Sequence, residues 1–165
     1  MKLRLALILM TCIVLMSGSI VTAQREEMPP WRAPLPEARS TAEIVVGETP
    51  LTAELARTPD ESSLGLGYRN GLEPGRGMLF IFPEPSELTF WMKGMRFCLD
   101  IIWVLDDEII GAAENACPDP EGTDDSDRMR FPSPSLANYV LEVPAGWLAE
   151  HGYGPGTQIA LPEGL

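Results

Sequence analysis

The sequence predicts a mainly β, compact single-domain fold of the β-sandwich or barrel-like kind with two short helices. Three observations carry that expectation. Short apolar runs follow one another at close spacing, broken by Pro83, Pro85, Gly94 and the Asp106-Asp107 pair, and many short strands separated by Pro and Gly turns are the pattern of packed or closed sheets. The run Ile101 to Leu105 is apolar at every position, so that strand needs cover on both faces. Helix signals occur in only two places, after Thr58 and after Pro144.

The elements follow in order. Residues 24–40, "QREEMPPWRAPLPEARS", hold four prolines and no periodicity, and read as an extended linker in which Trp31 is the one residue suited to dock on the body. The body is placed at 41–165. "AEIVV" and "LTAELAR" read as strands joined by "GETP". The second alternates, with Leu51, Ala53 and Leu55 on one side and Thr52, Glu54 and Ala56 on the other. Thr58-Pro59-Asp60-Glu61 is a helix start, with Thr as N-cap, Pro in the first turn and Glu closing a capping box. The helix is predicted to reach about Arg69, although Gly65 and Gly67 weaken it and leave it dependent on Leu64, Leu66 and Tyr68 for packing. "NGLEPGRG" is turn. "MLFIF", "LTFWM", "CLDIIWVL" and "EIIGAAEN" read as strands, residues 116–135 as a long polar loop, and "NYVLEV" as a further strand. "PAGWLAEHGYG" is a short helix that stops at Gly152, and "GPGTQIAL" is a turn and a closing strand.

The first residues address the compartment. Lys2 and Arg4 precede "LALILMTCIVLM", which carries no charge, and "SGSIVTAQ" supplies a Val21-Thr22-Ala23 cleavage pattern. This is the order of a secretory signal over residues 1–23, with Gln24 as the mature start. The charge-free stretch Leu5–Gln24 is 20 residues, about the ~20 that span a bilayer, so an uncleaved anchor is the alternative. Without residues 1–23 the basic count falls from 12 to 10 against 24 acids, a net charge of −14. That excess argues against nucleic acid or an anionic membrane surface as a partner. Cys98 and Cys117 remain as a pair, which outside the cytoplasm points to a disulfide. The segment between them reads as a hairpin turning at Asp106-Asp107. A four-residue loop makes paired numbers add to 215 and sets Cys98 opposite Cys117 and Asp100 opposite Asn115. A two-residue loop makes them add to 213 and sets Cys98 opposite Asn115.

Candidate chemistry centres on "FWMKGMRFCLD". Lys93 is the one lysine beyond the first four residues. Asp100 enters the doubly apolar strand, and a buried carboxylate needs a partner; Arg69, Arg96 and Lys93 are the cations the pattern offers. The structural reading is an ion pair fixing helix to sheet. The functional reading is a ligand site of Trp91, Lys93, Asp100 and Arg69 at the mouth of a pocket walled by Phe90, Trp91 and Met92. Met92, Met95 and Cys98 are sulfur residues at a spacing of three, but that spacing does not keep residues on one face of a strand. Asp119, Glu121, Asp124, Asp125 and Asp127 form an acidic loop without the spacing of a calcium loop. His151 stands alone, so no histidine metal site or Ser-His-Asp order is present, and no catalytic residue, metal or cofactor is assigned.

Several separated blocks resemble the domain-of-unknown-function 192 family: "TAELARTPDESSLGLGYRNGLEPGRGMLFIF", "FWMKGMRFCLDIIWV" and "YVLEVPAGWLAEHGYGPGTQI". The resemblance covers roughly residues 43–161. It implies a compact mainly-β, sandwich-like fold with short helices and an exported protein, and it brings no settled activity. Two departures stand out: Gly67-Tyr68 replaces the more usual Met-aromatic before the arginine, and Gly94-Met95 replaces the more usual Asn-Thr after Trp-Met-Lys. The expectation is an exported, non-catalytic binding module for an unknown small or extended ligand. An enzyme using Lys93 with Asp100 and a structural or assembly partner are the alternatives.

Overall fold

A computed structural model describes residues 39–165. The signal peptide, the anchor alternative and the linker up to residue 38, Trp31 included, lie outside the described residues. Two residues read as the end of the linker are packed on the body: Arg39 is buried, and the Ser40 carbonyl accepts from Leu55 N at 2.8 Å.

The chain is a mainly β single domain. The strands are β1 (Thr41–Val46), β2 (Thr49–Ala56), β3 (Arg76–Ser86), β4 (Thr89–Phe90), β5 (Leu99–Leu105), β6 (Glu108–Ala116), β7 (Phe131–Pro132), β8 (Ala137–Pro144) and β9 (Ile159–Ala160). The helices are α1 (Pro59–Leu64), between β2 and β3, and α2 (Trp147–His151), between β8 and β9. Seven strands form one sheet in the order β6-β5-β8-β3-β2-β1-β9, and β4 pairs with β7 in a separate ribbon. The large sheet curls into a half-barrel, and its two edges meet at one end. There Ile109 N donates to Thr157 O at 2.9 Å, and Ile159 N to Asp107 O at 2.7 Å. Closing the edges on each other covers backbone groups that an open sheet would expose.

The β2–β3 pair is parallel. A parallel pair needs a crossover, and residues 57–75, with α1, supply it. The capping box is present: Thr58 Oγ1 accepts from Glu61 N, and a Glu61 carboxylate oxygen accepts from Thr58 N at 2.9 Å. The helix ends at Gly65 and not near Arg69, because Gly65 (φ 51°) and Tyr68 (φ 66°) leave helical space and the Leu64 carbonyl is taken by Gly67 N.

Strand alternation sorts the core into two faces. The inner face of the curl gathers Ile44, Leu51, Leu55, Leu79, Ile102, Val104, Leu141 and Val143, closed by Trp147 and Leu148 of α2. The outer face gathers Met78, Phe80, Leu99, Ile101, Trp103 and Val140 under Leu66, Leu88 and Met92 from the connecting segments. The strand β5 sits between β6 and β8 and is buried from Leu99 to Val104, as its unbroken apolar run requires.

The β5–β6 hairpin combines both registers open to the sequence. A two-residue turn pairs Leu105 with Glu108 and Val104 with Ile109, numbers adding to 213. One bulge shifts the pairing to 214 at Trp103 and Gly111, and a second restores 215 at Leu99 and Ala116. Cys98 thereby meets Cys117, and the two are joined by a disulfide. Bulges were not legible in the sequence because each adds only a single unpaired residue. The predicted strand "LTFWM" is shorter than expected. It stops at Phe90, since Met95 N turns back onto Met92 O and Gly94 takes φ 73°. The loop expected at 116–135 contains the short β7 strand, which pairs with β4.

Candidate functional site

The sequence-predicted site residues separate into three places. Asp100 is fully buried but stands on the inner face, in register with Val143. Its partners are not cations. Oδ1 accepts from Asn115 N at 2.8 Å and Gly146 N at 3.0 Å, and Oδ2 accepts from Leu148 N at 3.0 Å. Gly146 is the N-cap of α2 and has no side chain to cap the helix, so Asp100 caps α2 from β5, where the helix dipole also favours an anion. The ion pair expected of Asp100 is therefore replaced by backbone donors, and Asp100 does not share a surface with Lys93, Trp91 or Arg69.

Arg69 and Glu54 form the ion pair that the sequence did not assign. Arg69 donates from both terminal nitrogens to the two Glu54 oxygens at 2.6 and 2.7 Å, the bidentate geometry that favours arginine. These hydrogen bonds hold the Glu54 carboxyl below its ordinary range against the opposing effect of burial, and they raise Arg69. Arg39 lies beside the pair and donates to Gly65 O at 3.2 Å and to the weak acceptor Met78 Sδ at 3.1 Å. Burial, and then Arg69, lowers its pKa.

Trp91 and Lys93 line a cleft on the outer face. Its walls are Ser62 to Leu66 at the end of α1, Phe80, Phe90, Trp91, Lys93 and Met95, and Glu142 belongs to its lining. The space is about 320 Å³, counting what is open to solvent. Phe80 and Phe90 meet edge to face, with centroids 5.0 Å apart. The acidic loop grips the rim: Asp125 pairs with Lys93 and with Arg128, and the Arg130 guanidinium lies 4.1 Å from the centre of the Trp91 ring, a cation–π contact. Asp125 thus serves internal contacts, as does Asp119, which accepts from Met129 N at 3.0 Å. No group of three or more His, Cys, Asp or Glu among the described residues could hold a metal. Among them no helix is long and apolar enough to cross a membrane. Cys98 gives its sulfur to the disulfide, and His151 packs on Trp147, with Nδ1 2.8 Å from the Trp147 carbonyl.

Glu142 is the residue that sequence reading missed. It is 5% exposed, it sits in register with Met78 on one side and Ile101 on the other, and Oε2 has no hydrogen-bond partner. Burial pushes its carboxyl up to about 8, with Arg39 opposing. Glu54, Met78 and Glu142 form one row across β2, β3 and β8, so the two glutamates are about two strand spacings, roughly 10 Å, apart. A signal was present in "NYVLEV", where Glu142 falls on the same face as Val140. An acid at a core-facing strand position needs a reason.

The two departures from the family pattern touch one another. A Cβ at Gly94 would come within 2.8 Å of the Tyr68 ring, and Tyr68 N donates to Gly94 O at 2.7 Å. Glycine at 94 makes room for the Tyr68 ring beside the cleft.

A crystal structure from Sinorhizobium meliloti 1021, described as a "putative transcription regulator", is 30% identical, covers 74% of this chain and 95% of its own, and superposes with a TM-score of 0.67. A protein of unknown function from Novosphingobium aromaticivorans DSM 12444 is 28% identical, covers 82% of this chain and 100% of its own, with a TM-score of 0.65. No curated protein matches. The family profile DUF192, "Uncharacterized ACR", matches residues 39–161, beginning at the buried Arg39 and ending just past β9, and the chain belongs to that family.

Proposed function

We propose that the chain is an exported, non-catalytic binding module whose ligand occupies the cleft lined by Trp91, Lys93 and Glu142. The observation that supports this reading is Glu142. A buried carboxyl with an oxygen lacking any partner costs stability, and a protein keeps such a group most readily where a ligand completes it. The aromatic and apolar walls supply contact area, and Lys93 is a polar group at the rim. The enzyme alternative based on Lys93 with Asp100 finds no support, because those side chains lie on opposite faces of the sheet. The regulator description of the S. meliloti relative is not carried over, since an excess of 24 acids over 12 basic residues opposes contact with phosphates.

A thermal-shift screen of small organic compounds tests the site. A ligand present at 100 times its Kd contributes about 2.7 kcal/mol by mass action. Compounds that stabilise the wild type and leave Glu142→Leu unmoved support the cleft. Hits that stabilise both proteins equally place the ligand elsewhere and overturn the assignment. Export is tested by the mass of the protein from its native host: a chain beginning at Gln24 is expected, and one that retains residues 5–20 overturns cleavage.

A further inference from the structure

We propose that the cleft selects an organic cation, a primary ammonium group on a small apolar or aromatic body, and that Glu142 is its anionic partner. This rests on the cleft being the ligand site and names the ligand's chemical class. Three observations point the same way. Glu142 presents a carboxyl with an unsatisfied oxygen, which is an acceptor when ionised. Phe80 and Phe90 line the approach, and ring faces attract ammonium ions and repel anions; the Trp91 ring beside them already holds cations of the chain, Arg130 at 4.1 Å and Lys93 at 5.2 Å from its centre. The chain as a whole is strongly acidic, which steers cations inward.

The cations facing Glu142 do not occupy that role. Arg39 directs its donors to Met78 Sδ and Gly65 O, Arg69 is held by Glu54 across the row, and Lys93 at the rim is held by Asp125. No hydrogen bond joins Glu142 Oε2 to any of them. Exchange of the Glu142 proton for an ammonium ion leaves the net charge of the Arg39, Glu54, Arg69 and Glu142 cluster unchanged. Binding below about pH 8, where burial keeps the carboxyl protonated, therefore releases one proton to solvent for each ligand bound. Affinity rises with pH toward that value, because ionising Glu142 becomes less costly.

Three probes of matched size separate the charge classes: benzylammonium, benzyl alcohol and phenylacetate. Each is titrated into the wild-type protein while the amide resonances of Ser63, Gly65 and Leu66 are followed by NMR at pH 6 and pH 8. Benzylammonium is expected to move these resonances with a Kd in the range of about 1–10 mM, tighter at pH 8. The alcohol and the acid should bind at least about tenfold more weakly, and Glu142→Gln should abolish the preference. Binding of phenylacetate or benzyl alcohol as tight as that of benzylammonium overturns the cation assignment and leaves the cleft as the site. Movement of none of the three sets of amides with any probe overturns the cleft as well.

Discussion

Glu142→Gln isolates the cost of a buried carboxyl. The amide has nearly the same size and carries no charge at any pH. In the folded chain burial raises the Glu142 carboxyl from its ordinary 4.5 to about 8; in the unfolded chain it returns to the ordinary value. Between those two values the folded state holds a proton that the unfolded state has lost, so stability falls as pH rises. The contribution is fully present below about pH 4.5 and is lost as pH rises through about 8. At ~1.36 kcal/mol per pH unit, a rise from 4.5 to about 8 corresponds to at most about 5 kcal/mol. The measurement is urea unfolding of both proteins at intervals from pH 5 to pH 8. Other titrating groups, Glu54 and Asp125 among them, are common to both chains and cancel in the difference. The wild type should lose about 1 kcal/mol per pH unit relative to Glu142→Gln, and the variant should be the more stable protein at pH 8. A difference that stays flat across the range would show that Glu142 ionises at its ordinary pH, and the unpartnered carboxyl would no longer argue for a ligand.

The remaining predictions concern the frame around the cleft. Asp100→Ala strands three backbone donors, Gly146 N and Leu148 N at the start of α2 and Asn115 N on β6, and should cost about 3–5 kcal/mol, from ~1–3 kcal/mol per unsatisfied group with incomplete additivity; chemical denaturation measures it, and near-wild-type stability would dismiss the cap. Asp100→Asn should recover only part of the loss, since an amide nitrogen then faces a donor. Arg69→Ala leaves the buried Glu54 unpaired and should cost about 2–3 kcal/mol, less than the ~3–5 of a fully buried pair because Arg69 is partly exposed; unchanged melting would dismiss the pair as structural. Thiol counting on the unfolded, unreduced protein should find neither Cys98 nor Cys117 free, and the double serine variant should lose about 3 kcal/mol by the chain-entropy account.

Much of the fold is legible in residue types because its causes are local. The capping box at Thr58 and Glu61, the alternation of β2, the unbroken apolar run of β5 and the helix stop at Gly152 each arise from a few neighbouring residues. What is not legible depends on partners far along the chain. The parallel pairing of β2 with β3 gives no mark within either strand. The two bulges of β6 are visible only once the cysteines at the far end are known to meet. The end of α1 is not legible because Gly65 and Gly67 read as weak helix residues, whereas Gly65 leaves helical space at φ 51° and Gly67 N takes the Leu64 carbonyl.

The candidate site turns on two acids that look alike in the sequence. Asp100 in "CLDIIWV" and Glu142 in "YVLEV" each interrupt an apolar strand, and both are buried. Side-chain pattern alone ranks Asp100 higher, because its strand is more apolar and a cation-bearing segment precedes it. Register reverses the ranking. On β5 and β8, Asp100 pairs with Val143 and Ile101 pairs with Glu142, so the two carboxyls leave the sheet on opposite sides. Asp100 meets three backbone N–H groups that no residue-type pattern reveals, and its charge is accounted for by the fold. Glu142 has an oxygen that meets nothing. A buried acid whose demands are met by the backbone explains itself as architecture, while one left unmet costs stability that the fold does not recover. That asymmetry places the functional assignment on Glu142 and the cleft above it, and removes it from Asp100.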